Sequence, residues 1–249
     1  MSFEYNPQNY MYAKMSRKSR QNKVGVDHPS ATLLENAIGQ DSVNAYKLGF
    51  KFSKLGMPVP RNSNLVAKAS TELVRGSSTN LWKSKFFTRV VRQIEGRDVY
   101  AHASLSGGII HNLGLTPLKV NDAFYLQNFK GIKNIGYYYD PGNKKKQLGG
   151  EILGFDRYLN LHLKLLQENC PMLAAMNIEP FIFCNMALAP NRNKEQQTGS
   201  WLARHLRWST GIGLSMQLRG VAIECYYNIY VSKQKHELRS DFQISIGLD

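Results

Sequence analysis

The sequence predicts an all-β fold, an antiparallel transmembrane β-barrel, and three observations carry that expectation. Leu206 to Leu218 alternates without a break: Leu206, Trp208, Thr210, Ile212, Leu214, Met216 and Leu218 share one face, and Arg207, Ser209, Gly211, Gly213, Ser215 and Gln217 the other, because strand side chains alternate. The same two-residue period returns along most of the chain, over stretches longer than the usual strand of about 5–6 residues. Short connections such as Leu218–Gly220 alternate with long polar ones such as those ending at Trp201 and Asp241, which is the layout of an up-and-down barrel. A soluble barrel or sandwich with its apolar faces turned inward shares this periodicity; strand length favours the membrane.

Residues 1–41 form a basic N-terminal segment with room for one or two weak strands. Its MYAKMSRKSRQNK stretch reads as a solvated loop, and a mitochondrial presequence is the alternative. The first clear strand sets Tyr46, Leu48, Phe50 and Phe52 against Lys47, Gly49, Lys51 and Ser53. NLVAKASTEL sets Leu65, Ala67, Ala69, Thr71 and Leu73 against Lys68, Ser70 and Glu72. KFFTRVVRQI and VYAHASLSGGII alternate more weakly, and an irregular stretch follows from Leu118 to Gly154. YLNLHLKL resumes with Leu159, Leu161, Leu163 and Leu165 against Asn160, His162 and Lys164. MNIEPFIFCNM puts Asn177, Glu179 and Asn185 on one face, although Pro180 removes a ladder donor. VAIECYYNI and FQISIGL complete the set, about nine to eleven strands in all.

Composition narrows the function classes. The 249 residues carry a net charge of +14, which favours polyanions or an anionic membrane surface. Three cysteines, Cys170, Cys184 and Cys225, lack CxxC spacing, which argues against a disulfide framework or a zinc site. The six histidines show no ligand spacing, no nucleophilic triad or phosphate loop is readable, and no cofactor or enzymatic activity is expected. Gly211 and Gly213 lack the rest of a dinucleotide fingerprint and read as small residues that relieve crowding. Nucleic-acid binding is not expected either, because no strand face interleaves aromatic and basic residues as a stacking platform does.

The order of FYL at Phe124–Leu126, a short basic motif, a polar tract, LGGE at Leu148–Glu151, an alternating strand and then RWSTGIGL resembles the C-terminal barrel of the bacterial surface antigen superfamily of outer-membrane insertases. It most resembles the mitochondrial member, the barrel subunit of the sorting and assembly machinery, over about Ser42 to Asp249. The resemblance implies that residues 42–249 are the C-terminal part of such a barrel, partial against the family's roughly sixteen strands, with a long inward loop over 119–150. The family's Val-Arg-Gly-Phe-like loop motif falls, without gaps, on Ile132, Lys133, Asn134 and Ile135. The wall positions facing it would be His162 and Asn185, with Glu179 the nearest carboxylate by pattern. The C-terminal insertion signal falls on Phe242, Gln243, Ile244, Ser245, Ile246, Gly247 and Leu248, with serine in place of the family's glycine.

The implied function is assistance to the insertion and assembly of β-barrel proteins in the mitochondrial outer membrane. The implied partners are outer-membrane lipids, other subunits of the machinery and client barrels. A diverged or truncated paralogue with a structural or interaction role is the alternative. So is an anion-passing pore lined by Lys47, Lys51, Lys68, Arg89, Lys164 and Arg207. Edge strands of an incomplete sheet would leave unpaired donors and acceptors, so self-association through them, or an extra strand from the N-terminal segment, is expected.

Overall fold

The computed structural model describes residues 10–22, 39–54, 64–76, 80–94, 97–114, 123–124, 126, 129–130, 132–133, 137–138, 151–152, 155–168, 170, 172–190, 205–218, 221–233 and 238–248. The strands are β1 (Tyr10–Asn22), β2 (Gly39–Lys54), β3 (Asn64–Gly76), β4 (Asn80–Gln93), β5 (Val99–Asn112), β6 (Ile132–Lys133), β7 (Tyr137–Tyr138), β8 (Glu151–Ile152), β9 (Arg157–Gln167), β10 (Ile178–Leu188), β11 (Leu206–Leu218), β12 (Val221–Ser232), β13 (Leu238–Arg239) and β14 (Phe242–Leu248). Ten of them make one antiparallel sheet in the order β1-β2-β3-β4-β5-β9-β10-β11-β12-β14, so each strand pairs with the next long strand in sequence. β1 and β14 are the edges of this sheet among the described residues, and the sheet is unclosed.

The tenth strand is the basic segment that reads as a loop. Tyr10–Asn22 pairs along its whole length with Gly39–Lys51. Its outward positions Met11 and Met15 are exposed, while Tyr10, Tyr12 and Lys14 lie on the other face. The charge disguised the alternation, because the polar face here is mostly lysine and tyrosine rather than small residues.

The direction of the apolar faces separates a membrane barrel from a soluble sandwich. Leu48, Phe50, Phe86, Ile109, Leu163, Ile182, Ile212 and Ile246 are exposed, and they alternate along their strands with buried or half-buried partners. Sheets of water-soluble proteins cover such a band with a second layer; lipid is the solvent in which it is left open. Strands of 11 to 16 residues in β1–β5 and β9–β11 meet or exceed the roughly 9–11 residues needed to cross the hydrocarbon.

The opposite face is concave. Lys164 on β9 bonds Glu224 on β12 at 2.6 Å, although two strands lie between them at about 4.8 Å per step. That contact requires the sheet to curl around it. Pro180 sits where the β9 ladder has ended, since β10 pairs with β9 only from Phe181 onward, so the missing donor costs little there. Asn177 just before β10 takes a φ of 52°, a left-handed conformation that asparagine tolerates.

Candidate functional site

The candidate site is the concave face and the connection that folds into it. The connection between β5 and β9 is pinched at its base, where Phe124 and Phe155 exchange two backbone hydrogen bonds of 2.8 Å. Beyond the pinch, Ala123, Phe124, Phe129, Ile132 and Phe155 form one buried cluster with Val43, Ala45, Val74, Leu81, Ile110, Ala187 and Ala189 of the wall. These wall residues come from β2, β3, β4, β5 and β10, with Ala189 just past the end of β10, and lie at the end of the sheet from which the β5–β9 and β10–β11 connections leave. The inward segment therefore plugs that end by ordinary apolar burial. Phe124 adds an edge-to-face contact with Tyr158, at 4.9 Å between centroids.

The polar contacts form a second layer beneath the plug. The Ser209 hydroxyl donates to the Lys130 carbonyl at 2.5 Å, and Asn185 Nδ2 donates to Ser209 Oγ at 3.3 Å. His162 Nδ1 hydrogen-bonds Asn185 Oδ1. His162 and Asn185 thus stand together in register on β9 and β10 and hold the wall serine that grips the inward segment. The Lys130 ammonium lies 4.3 Å from the centre of the Tyr226 ring. Tyr226 donates its hydroxyl proton to Glu224, whose other oxygen accepts from Lys164. Burial pushes the Lys130 ammonium below the usual lysine range, against the opposing pull of Glu224, and Lys164 adds to the lowering.

Of the four loop positions expected from the sequence, Ile132 is buried in the plug and Lys133 pairs with Leu238 through β6 and β13. The Lys133 side chain, Asn134 and Ile135 lie outside the described residues. Three residues upstream, Phe129, Lys130, Gly131 and Ile132 also run hydrophobic, cation, glycine, hydrophobic. In this register Phe129 and Ile132 are buried and Lys130 reaches the wall. The glycine after the cation was the signal that could have found it. Glu179 lies lower, in a cavity of about 730 Å³ also lined by Arg89, His102, His162, Lys164 and Glu224. The carboxylate nearest the inward lysine's partners is Glu224, which the sequence did not single out because β9 and β12 are not neighbours in the sheet.

Two of the cations expected to line an anion pathway are otherwise engaged. Lys164 is 6 % exposed and ion-paired. Arg207 is 1 % exposed, its Nη1 donating to the carbonyls of Ala189 at 2.9 Å and His205 at 3.1 Å, with Phe155 stacked beneath. The C-terminal positions coincide with β14: Phe242, Ile244 and Ile246 face outward and exposed, while Gln243 and Ser245 face inward, and Leu248 pairs with Val221.

Gly211 and Gly213 are explained by what crosses them. Phe183 and Phe181 are their direct partners on β10, and with Tyr226 these rings form a T-shaped trio with centroids 5.1 Å from Tyr226. A Cβ at Gly213 would stand 2.3 Å from the Phe181 ring and 2.4 Å from the Cys225 carbonyl oxygen; at Gly211 it would stand 2.0 Å from the Tyr227 carbonyl oxygen. Aromatic rings laid over strand glycines keep the wall thin enough to curl.

No protein-family model matches the chain, and no curated protein sequence matches it. Solved structures do. BamA from Haemophilus ducreyi, in a crystal structure lacking POTRA domains 1–3, aligns with a TM-score of 0.68 at 13% identity over 95% of this chain and 50% of that one. CdiB from Acinetobacter baumannii aligns with a TM-score of 0.55 at 14% identity over 96% of this chain and 38% of that one. The chain spans half or less of these neighbours' lengths, and identities this low speak for the fold alone: the ten-stranded, unclosed antiparallel sheet has the architecture of part of the outer-membrane barrels represented by BamA and CdiB.

Proposed function

We propose that this chain is the C-terminal part of an insertase-type barrel that assists the assembly of β-barrel proteins in the mitochondrial outer membrane. The observation that carries the reading is the inward segment held by the wall, with Phe129 in the buried apolar cluster and Lys130 against Ser209 and the Tyr226 ring, beside an edge strand that has no partner strand among the described residues. An edge in lipid presents donors and acceptors that a client strand can satisfy by strand addition. The inward plug keeps the concave face braced while that edge stays open. The work is templating, in which backbone pairing spares a client the cost of bare polar groups in hydrocarbon. Other subunits of a sorting and assembly machinery and barrel clients are the partners that this role requires, and a mitochondrial location follows from the sequence resemblance.

The test has two arms. Radiolabelled chain imported into isolated mitochondria should become carbonate-resistant in the outer membrane; recovery in the soluble fraction refutes the location. Liposomes carrying the purified chain should speed the folding of a small barrel client over empty liposomes, and a disulfide joining β14 to an added capping strand should abolish the gain. Equal folding rates with and without the chain would leave a structural barrel that has lost insertase activity.

A further inference from the structure

The concave face of β1–β4 is basic in a way that structural needs do not explain. Inward positions there include Lys14, Lys47, Lys51, Lys68, Lys85 and Arg89, and Glu72 is the one acid on this face among the residues whose side chains are described. Lys51 stands directly opposite Lys68, and Lys14 directly opposite Lys47. Like charges facing each other across an antiparallel pair are destabilising. Among the described residues neither Lys51 nor Lys68 has an acidic partner; their ammonium groups rest instead near rings, Lys51 at 5.3 Å from Tyr10 and Lys68 at 5.9 Å from Phe87. Lys47 rests 5.8 Å from Tyr12 in the same manner.

We propose that this face is a docking site for an acidic polypeptide segment lying extended along β2 and β3. The structure already contains one carboxylate in the required place: Glu72 is in register between Lys47 and Lys83. The lysine row at Lys51 and Lys68 has no such residue, and an incoming glutamate supplies it. Side chains on one face of an extended peptide repeat every two residues, as the inward lysines do on the wall. A single-stranded nucleic acid fits less well, because base stacking needs open ring faces, and Tyr10, Tyr12 and Phe87 are approached by their own lysines. The proposal goes beyond the insertase reading and does not depend on it, since it requires only that this face be concave and accessible.

The test is fluorescence anisotropy of a glutamate-rich peptide, and of its glutamine counterpart, titrated with the full chain in zwitterionic detergent. Binding of the glutamate peptide should be salt-sensitive and about tenfold weaker in Lys51→Gln/Lys68→Gln, a difference of about 1.4 kcal/mol. The Lys51→Glu/Lys68→Glu variant should instead prefer a lysine-rich peptide, a gain that an unfolded protein would not show. Equal affinity for the glutamate and glutamine peptides, an unchanged affinity in Lys51→Gln/Lys68→Gln, or displacement of the peptide by a stoichiometric oligothymidylate would each overturn the proposal.

Discussion

Lys164 and Glu224 show how one pair can hold a curved wall. Lys164 is almost wholly buried and its ammonium lies 4.1 Å from the Phe181 ring centre, with Glu224 as its ion partner. Removing the carboxylate charge leaves a buried ammonium without its counter-ion, which costs about 3–5 kcal/mol. Glu224→Gln should therefore lower the urea midpoint of the detergent-folded chain markedly, and adding Lys164→Met should restore most of the loss. A midpoint unchanged by Glu224→Gln would remove the pair from the account of curvature. At Gly211 the nearest obstacle is the Tyr227 carbonyl oxygen, which cannot swing aside. Gly211→Ala should destabilise by about 1–3 kcal/mol, and Phe183→Ala should not rescue it, as denaturant titration of the double variant would reveal. The glycines were legible as small residues in a crowded strand; the rings that crowd them were not, because Phe181 and Phe183 share their face with the polar Asn177, Glu179 and Asn185.

At the scale of elements, β12 departs from simple alternation. Its register with β11 shifts between Thr210 and Gly211, so that Thr210 faces Tyr230 while Gly211 faces Asn228. The bulge turns Ile229 and Tyr230 both outward, where Tyr230 stacks on Trp208 at 4.4 Å, and sends Val231 inward against the plug. A bulge re-aims side chains in this way, and a period-two reading carried through it would assign Tyr230 to the wrong face. The inward connection carries its own pH dependence. Lys130 has its pKa lowered in the docked state, so the undocked segment binds more protons, and docking strengthens as pH rises from the docked value towards the ordinary lysine value of about 10.4. Protease cleavage within the connection should slow across that alkaline range in the wild type and lose the dependence in Lys130→Met. A cysteine pair at Lys130 and Ser209 should oxidise readily if the segment docks as described, and failure to form the bond would place the segment elsewhere.

At the scale of the whole molecule, the open edges dominate. The sequence reads its first clear strand near Ala45 and allows an added strand from the N-terminal segment; Tyr10–Asn22 is such a strand, and it moves the edge outward by one. The other edge, β14, is only 7 residues long against 12 in its partner β12. Unpaired backbone groups in lipid are costly, so cysteines at Ala13 and Ile246 should crosslink, within one chain if the edges meet and between chains if two copies pair. Monomers carrying no crosslink, in a membrane-embedded sample, would mean that another strand covers an edge.

Alternation is a local property, and it determined by itself that the chain is nearly all strand, where most strands run and which residues share a face. It also put His162 and Asn185 each on the polar face of its own strand and marked Phe242–Leu248 as a terminal strand. Tertiary structure decided the rest: that the apolar faces point outward, that Lys130 is the inward cation gripped by Ser209, that Glu224 partners Lys164, and that Arg207 caps carbonyls rather than lining a pathway. The reason is curvature. Curling the sheet brings together side chains from strands that are not neighbours in sequence or in the sheet, and a two-residue period carries no record of which distant residues will meet across the interior.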